Sequence, residues 1–521
     1  MQSLIIHSPI LAVAIPLLAA FLTPLISRFG SRARDTMVIA ALAFTEFLVL
    51  ILARDIYATG LHVYTLGALS PTLATPENFM IPVRIVLEVD AMSIFMGIIS
   101  VTVALAAAIY SISFMKRETG GTKFYTLLLL LTVGMVGLEF TGDLFNMFIF
   151  LEILSISGAA LAGFRIRSAD AVEGGFKYLV ISAIGALVIL FAVGIFYGQY
   201  NLLNIAALAK VMQYTSLDQL ALILIIMAFG MKLAAVPMHM WAPDTYSVAP
   251  AGTTPMIYVA SQACLYALIR VCFSLYGVTM NTTTIGWIVI VLGLLSMFVG
   301  VTVAVKQTDI KRLMAYHAVS QSGYMLLGIG VGLAVLADPV ALASYGKAAI
   351  SGGIFHIINN SLYKGLLFLT AEALFFSLGT RNLDKMGGMA RNMKYTTIFF
   401  IIGALAISGI PPFNGFTSKL MIYESVYQLS PVLAIIAMLV SILTLASFTK
   451  AFQSAFTGPA LPQYRLVKEV PKPMLVGMGI LAVLIIFFSL FPGLVVNTIV
   501  TPATEALIDQ AGYISAVMGG P

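Results

Sequence analysis

Long apolar runs separated by short polar breaks organise this sequence. A membrane-spanning helix needs about 20 predominantly apolar residues, and roughly fourteen such runs follow one another along the chain. They fall near 4–26, 36–53, 91–114, 124–141, 143–163, 176–197, 219–241, 254–276, 284–305, 313–335, 349–377, 395–427, 431–455 and 474–496. The pattern predicts an all-α polytopic membrane protein with about 14 transmembrane helices and little chain left for a soluble domain. The first run, Met1 to Ile26, lacks the basic start of a secretory signal and is expected to be a retained helix.

Composition agrees with this picture. Hydrophobic residues make up 60% of the 521 positions, charged residues 10%, and the mean hydropathy is +1.01, whereas soluble domains carry about 25% charged residues. A net charge of +6 could point to nucleic acid, but its distribution is that of a topology signal. Arg28, Arg32, Arg34, Lys116, Arg117, Lys306, Lys311, Arg312, Arg391 and Lys394 sit in one alternating set of loops and flanking helix ends. The opposite set holds Arg54, Arg84, Lys210, Arg270 and Lys347. The positive-inside rule then predicts a plasma-membrane protein with both termini outside and a lipid bilayer, not nucleic acid, as its surroundings. Cys264 and Cys272 share one apolar run, the five histidines share no ligand spacing, and no phosphate-binding loop is present. No metal, cofactor or redox centre is expected.

Lys232, Lys364 and Lys419 belong to no loop. A charge at a helix centre costs about 2.5–3.5 kcal/mol on insertion scales, so such residues normally serve a wet cavity or a partner. Glu152, within Met147-Phe-Ile-Phe-Leu-Glu-Ile-Leu-Ser-Ile-Ser-Gly158, is equally stranded. Five residues after Lys232, Pro237 must break its helix, as in transporters whose discontinuous helices line a midmembrane site. The alternative is a lysine snorkelling from an ordinary helix end. His239 lies in the same broken region.

His356, Asn360 and Lys364 recur at i, i+4 and i+8, a polar stripe on one helix face, suited to proton relay or to a hydrogen-bonded seam between helices. Ser408-Gly-Ile-Pro-Pro-Phe-Asn-Gly-Phe-Thr-Ser-Lys419 repeats the device of a broken helix with a lysine. The repetition predicts two five-helix units of inverted topology, 124–276 and 284–456, preceded by helices within 1–123 and followed by a last helix and tail over 474–521. His317, close behind Lys311 and Arg312, suits either a relay or a structural role. Glu139 and Asp143 are exit or entrance candidates, Glu46 a contact to a neighbouring subunit. Arg165, Arg167, Asp309 and Arg312 have the setting of solvated or interfacial charges.

Together these motifs resemble the antiporter-like subunits shared by respiratory complex I, Mrp-type sodium/proton antiporters and membrane-bound hydrogenases. The resemblance covers most of the chain. It rests on Gly142-Asp-Leu-Phe-Asn-Met-Phe-Ile-Phe-Leu-Glu152, on Lys232 with Pro237-Met-His-Met-Trp-Ala-Pro-Asp244, on Lys311-Arg-Leu-Met-Ala-Tyr-His-Ala-Val-Ser-Gln-Ser-Gly-Tyr324, on His356 through Lys364, on Thr380-Arg-Asn-Leu-Asp-Lys-Met-Gly-Gly388 and on Gly409 through Lys419. The Ala-Tyr-His variant is most similar to the D-type component of Mrp antiporters. The resemblance implies that Glu152 pairs with Lys232 in one half-channel while Lys364 and Lys419 serve another. It also implies partner membrane subunits, with H⁺ and Na⁺ as the candidate ions. A redox reaction would belong to an NADH- or ferredoxin-dependent oxidoreductase or hydrogenase complex around the chain. One departure is Gln262, where the family often has a lysine. The expected function is therefore ion translocation within a multisubunit complex. The alternatives are a standalone secondary transporter and an inactivated subunit that holds a redox module in the membrane.

Overall fold

Polar caps start helices where the apolar runs begin. The computed structural model describes residues 2–66 and 85–518; Arg84, one of the outward loop charges, lies outside them. Helices α1 (Gln2–Ile26) and α2 (Ser31–Thr59) lead into an antiparallel pair of strands, β1 (His62–Thr65) and β2 (Val86–Val89), with His62 opposite Val89. This small sheet is an addition to a predominantly helical chain. Its strands are rich in β-branched residues and too short to span, and pairing satisfies the backbone groups of a segment packed against α1, α3 and α4.

Asp90 caps α3 (Ala91–Phe114) by accepting from the amides of Met92 and Ser93, satisfying donors that a helix start leaves unpaired. Next come α4 (Gly121–Phe140), α5 (Leu144–Ala162), α6 (Ala169–Tyr200) and α7 (Ile205–Val211). A capping box of Thr215 and Asp218 opens α8 (Ser216–Lys232), followed by α9 (Trp241–Val248) and α10 (Thr253–Arg270). The second half comprises α11 (Thr282–Lys306), α12 (Ile310–Ala334), the single turn α13 (Pro339–Ala341), α14 (Lys347–Leu378), α15 (Lys394–Ser408), α16 (Asn414–Leu429), α17 (Pro431–Phe452) and α18 (Lys472–Leu490). Short helices α19 (Pro492–Val495), α20 (Thr501–Ile508) and α21 (Gln510–Met518) end the described chain.

Eleven helices among the described residues are long and apolar enough to cross a membrane, and the chain is a multi-pass membrane protein. Helices α8, α12, α15 and α16 are not among the eleven. Breaks shorten α8, α15 and α16, and α12 carries His317, Ser320, Gln321 and Ser322 along its length. Every residue of α10 is buried, as is all of α12 except Arg312. With α3 and α14 these helices form the centre. Around them, α2, α6, α17 and α18 expose Phe47, Phe176, Ile442 and Val483, the apolar outer face that hydrocarbon requires. Helices α11 and α12 meet backbone to backbone: a Cβ on Gly286 would lie 2.3 Å from the Ala334 nitrogen, and one on Gly300 2.6 Å from that of Ser320. Small residues allow such close approach where lipid removes the hydrophobic incentive for helices to associate.

Candidate functional site

Both broken helices are present. Helix α8 stops at Lys232 and helical structure resumes at Trp241, while α15 stops at Ser408 and α16 begins at Asn414. The first break is braced by the Trp241 indole, which donates to the Met231 carbonyl at 2.8 Å, and by Ser296, which accepts from the Val236 amide at 2.9 Å. In the second, Pro411 has no N–H to return to the Ile407 carbonyl four residues earlier. The Lys419 ammonium takes that carbonyl instead, at 2.8 Å, and also donates to Ser441 at 2.9 Å. Breaking the helix thus creates the acceptor that holds the lysine.

Lys232 is 3% exposed and donates to the Ser155 hydroxyl at 2.7 Å. Ser155 lies one turn beyond Glu152 on α5, so the lysine is held beside the carboxylate rather than by it. Glu152 is only half-buried, at the edge of the bundle. His239 is buried on the broken segment, its Nδ1 without a hydrogen-bond partner among the described residues.

The stripe on α14 is wholly buried, and each of its members points to a different neighbour. His356 places Nδ1 3.0 Å from Ser418 on α16 and Nε2 3.2 Å from the Gln321 carbonyl oxygen on α12, with the Tyr363 hydroxyl 3.3 Å from that same nitrogen. Asn360 donates to Tyr258 on α10. Lys364 donates to the Met314 carbonyl at 2.7 Å. His317 pairs through Nε2 with Ser447 at 2.8 Å. Gln262 is fully buried on α10, and neither of its amide atoms has a partner among the described residues. The same holds for the Nδ1 of His317, Nε2 of Gln321 and Oδ1 of Asn360. Buried polar groups are normally hydrogen-bonded to protein or to ordered water.

The two acids near the α4–α5 junction differ in task. Glu139 is fully buried and accepts from Ser100 at 2.6 Å, while its second oxygen has no partner among the described residues. Asp143 caps α5 through the Asn146 amide at 2.8 Å. Burial pushes the Asp143 carboxyl up to about 6 although two backbone amides pull it down.

Two basic residues at helix ends, Arg270 and Lys311, are buried rather than solvated. Arg270 is fully buried and grips Asp90 with both terminal nitrogens, at 2.6 and 2.7 Å. Lys311 is buried in an ion pair with Glu372 and donates to the Ala249 carbonyl at 2.7 Å. Both escape the cost of a buried charge by pairing with an acid. Glu372, alone in Thr370-Ala-Glu-Ala-Leu374, was legible as a stranded charge and is missing from the sequence-based candidates. Arg312 and Asp309 do behave as interfacial charges, half-exposed and paired with Asp244 and Arg381. Glu46 bonds Thr102 of its own chain at 3.0 Å. Among the described residues no cluster of ligating side chains could hold a metal ion.

The family model described as "NADH:quinone oxidoreductase/Mrp antiporter, TM" matches residues 141–444, and that for the N-terminus of complex I chain 5 matches 78–125. The chain is 30% identical over 461 residues to the D-type component of the Na(+)/H(+) antiporter of Alkalihalophilus pseudofirmus, covering 86% of this chain and 87% of that protein. It is 27% identical over 512 residues to the A-type component of the antiporter of the same organism, a match that covers 95% of this chain; the chain spans only 62% of that longer relative. In fold it is similar to a chain of the Mrp complex from Dietzia sp., with a TM-score of 0.85 at 24% identity, over 99% of this chain and 100% of that one.

Proposed function

This chain belongs to the NADH:quinone oxidoreductase/Mrp antiporter transmembrane family, and we propose that it is an ion-translocating subunit of a multisubunit antiporter or respiratory complex, moving H⁺, with Na⁺ as the candidate counter-ion. The observation that carries this reading is the set of buried polar groups within the apolar bundle: Lys232 with Ser155, Gln262, Asn360 with Tyr258, His356 with Gln321, and Lys364 and Lys419 on backbone carbonyls. Glu152 and Lys232 serve one half-channel, and His356, Lys364 and Lys419 the other. His239 in the first break and His317 on α12 are relay groups, and Glu139 and Asp143 belong to the outward mouth. The half-exposed Glu152 supports a neighbouring membrane protein at this edge, because a carboxylate within the bilayer is costly unless something covers it.

Counting α12 as a span, and α8 with α9 and α15 with α16 as single broken spans, brings the total from eleven to fourteen. The recurring break with its lysine supports inverted repeats over 124–276 and 284–456. An even number of spans is consistent with both termini outside the plasma membrane.

The test is dye-monitored proton movement in membrane vesicles containing the assembled complex. Lys419→Ala is expected to slow it by a factor of about 100, the scale of losing a proton-transferring group. Movement at the full rate would overturn the assignment.

Gln262 favours a second reading, an inactivated subunit that holds a redox module, because glutamine cannot exchange a proton. Gln262→Lys separates the two. If water already bridges the halves, an added charge there leaves proton movement unchanged or slower. A marked acceleration would show that the native route is interrupted at this residue.

A further inference from the structure

Glu88 is a buried carboxylate that no cationic side chain among the described residues pairs with. It sits on β2, 3% exposed, with Oε1 accepting from Asn204 at 2.6 Å and Oε2 from the Tyr513 hydroxyl. The neighbouring guanidinium of Arg270 is committed to Asp90 through both terminal nitrogens. The space for the carboxyl exists because residue 142 is glycine: a Cβ there would lie 1.9 Å from the Glu88 Cδ. A carboxylate built into the fold in this way, and left without a salt bridge, is costly when ionised and needs a reason.

Its surroundings supply one. On one side, Tyr513 of α21 separates it from a cavity of about 740 Å³ lined by Tyr57, Asp90, Asn497, Glu505, Asp509 and Tyr513. On the other, Asp90 bonds Ser93 at 3.1 Å, and Ser93 bonds the Tyr266 hydroxyl at 2.9 Å. Tyr266 donates to the Glu139 carbonyl at 2.8 Å. Ser100, two turns beyond Ser93 on α3, donates to the Glu139 carboxyl. Hydrogen bonds therefore run from Asp90 at the cavity to the backbone carbonyl of Glu139, while the Glu139 carboxyl is held separately by Ser100 and its second oxygen has no partner among the described residues.

We propose that Glu88 is a proton-handling residue at one mouth of this protein, and that Tyr513, carried by the C-terminal helix, governs its exchange with the adjoining cavity. The proposal rests on the ion-translocating function above. In the step itself, the Tyr513 hydroxyl proton passes to the Glu88 carboxylate as the phenol oxygen takes a proton from a hydronium ion in the cavity, which is left as water, so the tyrosine ends as it began.

The charged and titratable groups facing Glu88 are Tyr513 from α21, Arg270 from α10, Asp143 from the α5 cap and Asp90 at the end of its own strand, with neutral Asn204 from the α7 cap. Burial pushes Glu88 up to about 7 against the pull of Tyr513, Asn204 and Arg270, and Asp143 adds to the rise. Burial alone would raise Asp90 as well, but the Arg270 charge and its hydrogen bonds hold that carboxyl below its ordinary value. Asp90 therefore stays ionised while Glu88 changes state near neutrality.

The experiment measures proton movement by the assembled complex in vesicles while pH is varied on the side of the β1–β2 sheet. Wild type is expected to titrate with a midpoint near 7. Glu88→Gln should slow movement by about tenfold or more and abolish that titration. Tyr513→Phe removes a hydrogen bond that favours the carboxylate, so it should move the midpoint to higher pH. Lys232→Ala, run in parallel, tests the underlying function. If Lys232→Ala is inactive but Glu88→Gln keeps the wild-type rate and pH profile, the proposal is overturned and the function stands. If Lys232→Ala moves protons at full rate, both fall. Should Glu88→Gln fail to assemble, an unchanged pH profile in Tyr513→Phe overturns the proposal.

Discussion

Lys232→Ala is expected to bring proton movement through the complex to background, a loss of about 100-fold or more, with the chain still inserted and assembled. The substitution removes one hydrogen bond, to Ser155 at 2.7 Å, and places a strong helix former at the last position of α8, so the helix itself is not at risk. What disappears is an ammonium that can give up and regain a proton within the membrane. Lys232→Arg sharpens the test, because a guanidinium keeps the charge but does not release its proton. It should assemble as well as alanine does and be equally inactive. Glu152→Gln should also be severely impaired, since it removes the carboxylate one turn from the Ser155 anchor. Pyranine-loaded vesicles report the flux and a native gel reports assembly. Wild-type flux in Lys232→Ala would sink the proton-exchange role.

Glu372→Ala is expected to destabilise the protein by about 3–5 kcal/mol, the scale for removing one partner of a buried ion pair. Lys311 is 1% exposed and would keep only the Ala249 carbonyl as an acceptor, at 2.7 Å. A carbonyl dipole does not replace a carboxylate charge. Replacing both partners together, as Lys311→Met with Glu372→Leu, removes the uncompensated charge and should recover most of the loss, since apolar replacement of a buried pair is often neutral. Thermal unfolding in detergent measures both variants. A single variant as stable as wild type, or a double variant no better than the single, would contradict the account.

How much of this could be read beforehand differs from residue to residue. The apolar surroundings of Lys232, Lys364 and Lys419 already imply burial, and all three are buried. Both helix breaks follow from proline, whose missing N–H no neighbouring sequence can supply. Arg270 and Lys311 look the same as topology charges until their partners are known, and those partners are distant. Asp90 is 180 positions from Arg270, and Glu372 is 61 from Lys311. Tyr513 is 425 positions from Glu88, so nothing in the local sequence marks Glu88 as a buried carboxylate with a phenol partner.

The sequence by itself determined that the chain lives in lipid, where its helices break, and which lysines lie away from every loop. These are local properties: hydropathy over about 20 residues, one missing amide hydrogen, one charge among apolar neighbours. Only the tertiary structure decided which charges are neutralised and which are left to exchange protons. Lys311 and Arg270 found carboxylates, Lys232 and Lys419 found hydroxyls and Lys364 a carbonyl, and Glu88 found an amide and a phenol. The electrostatic fate of a buried group depends on what faces it across the bundle, and residues that face each other there are placed by packing rather than by their order in the chain.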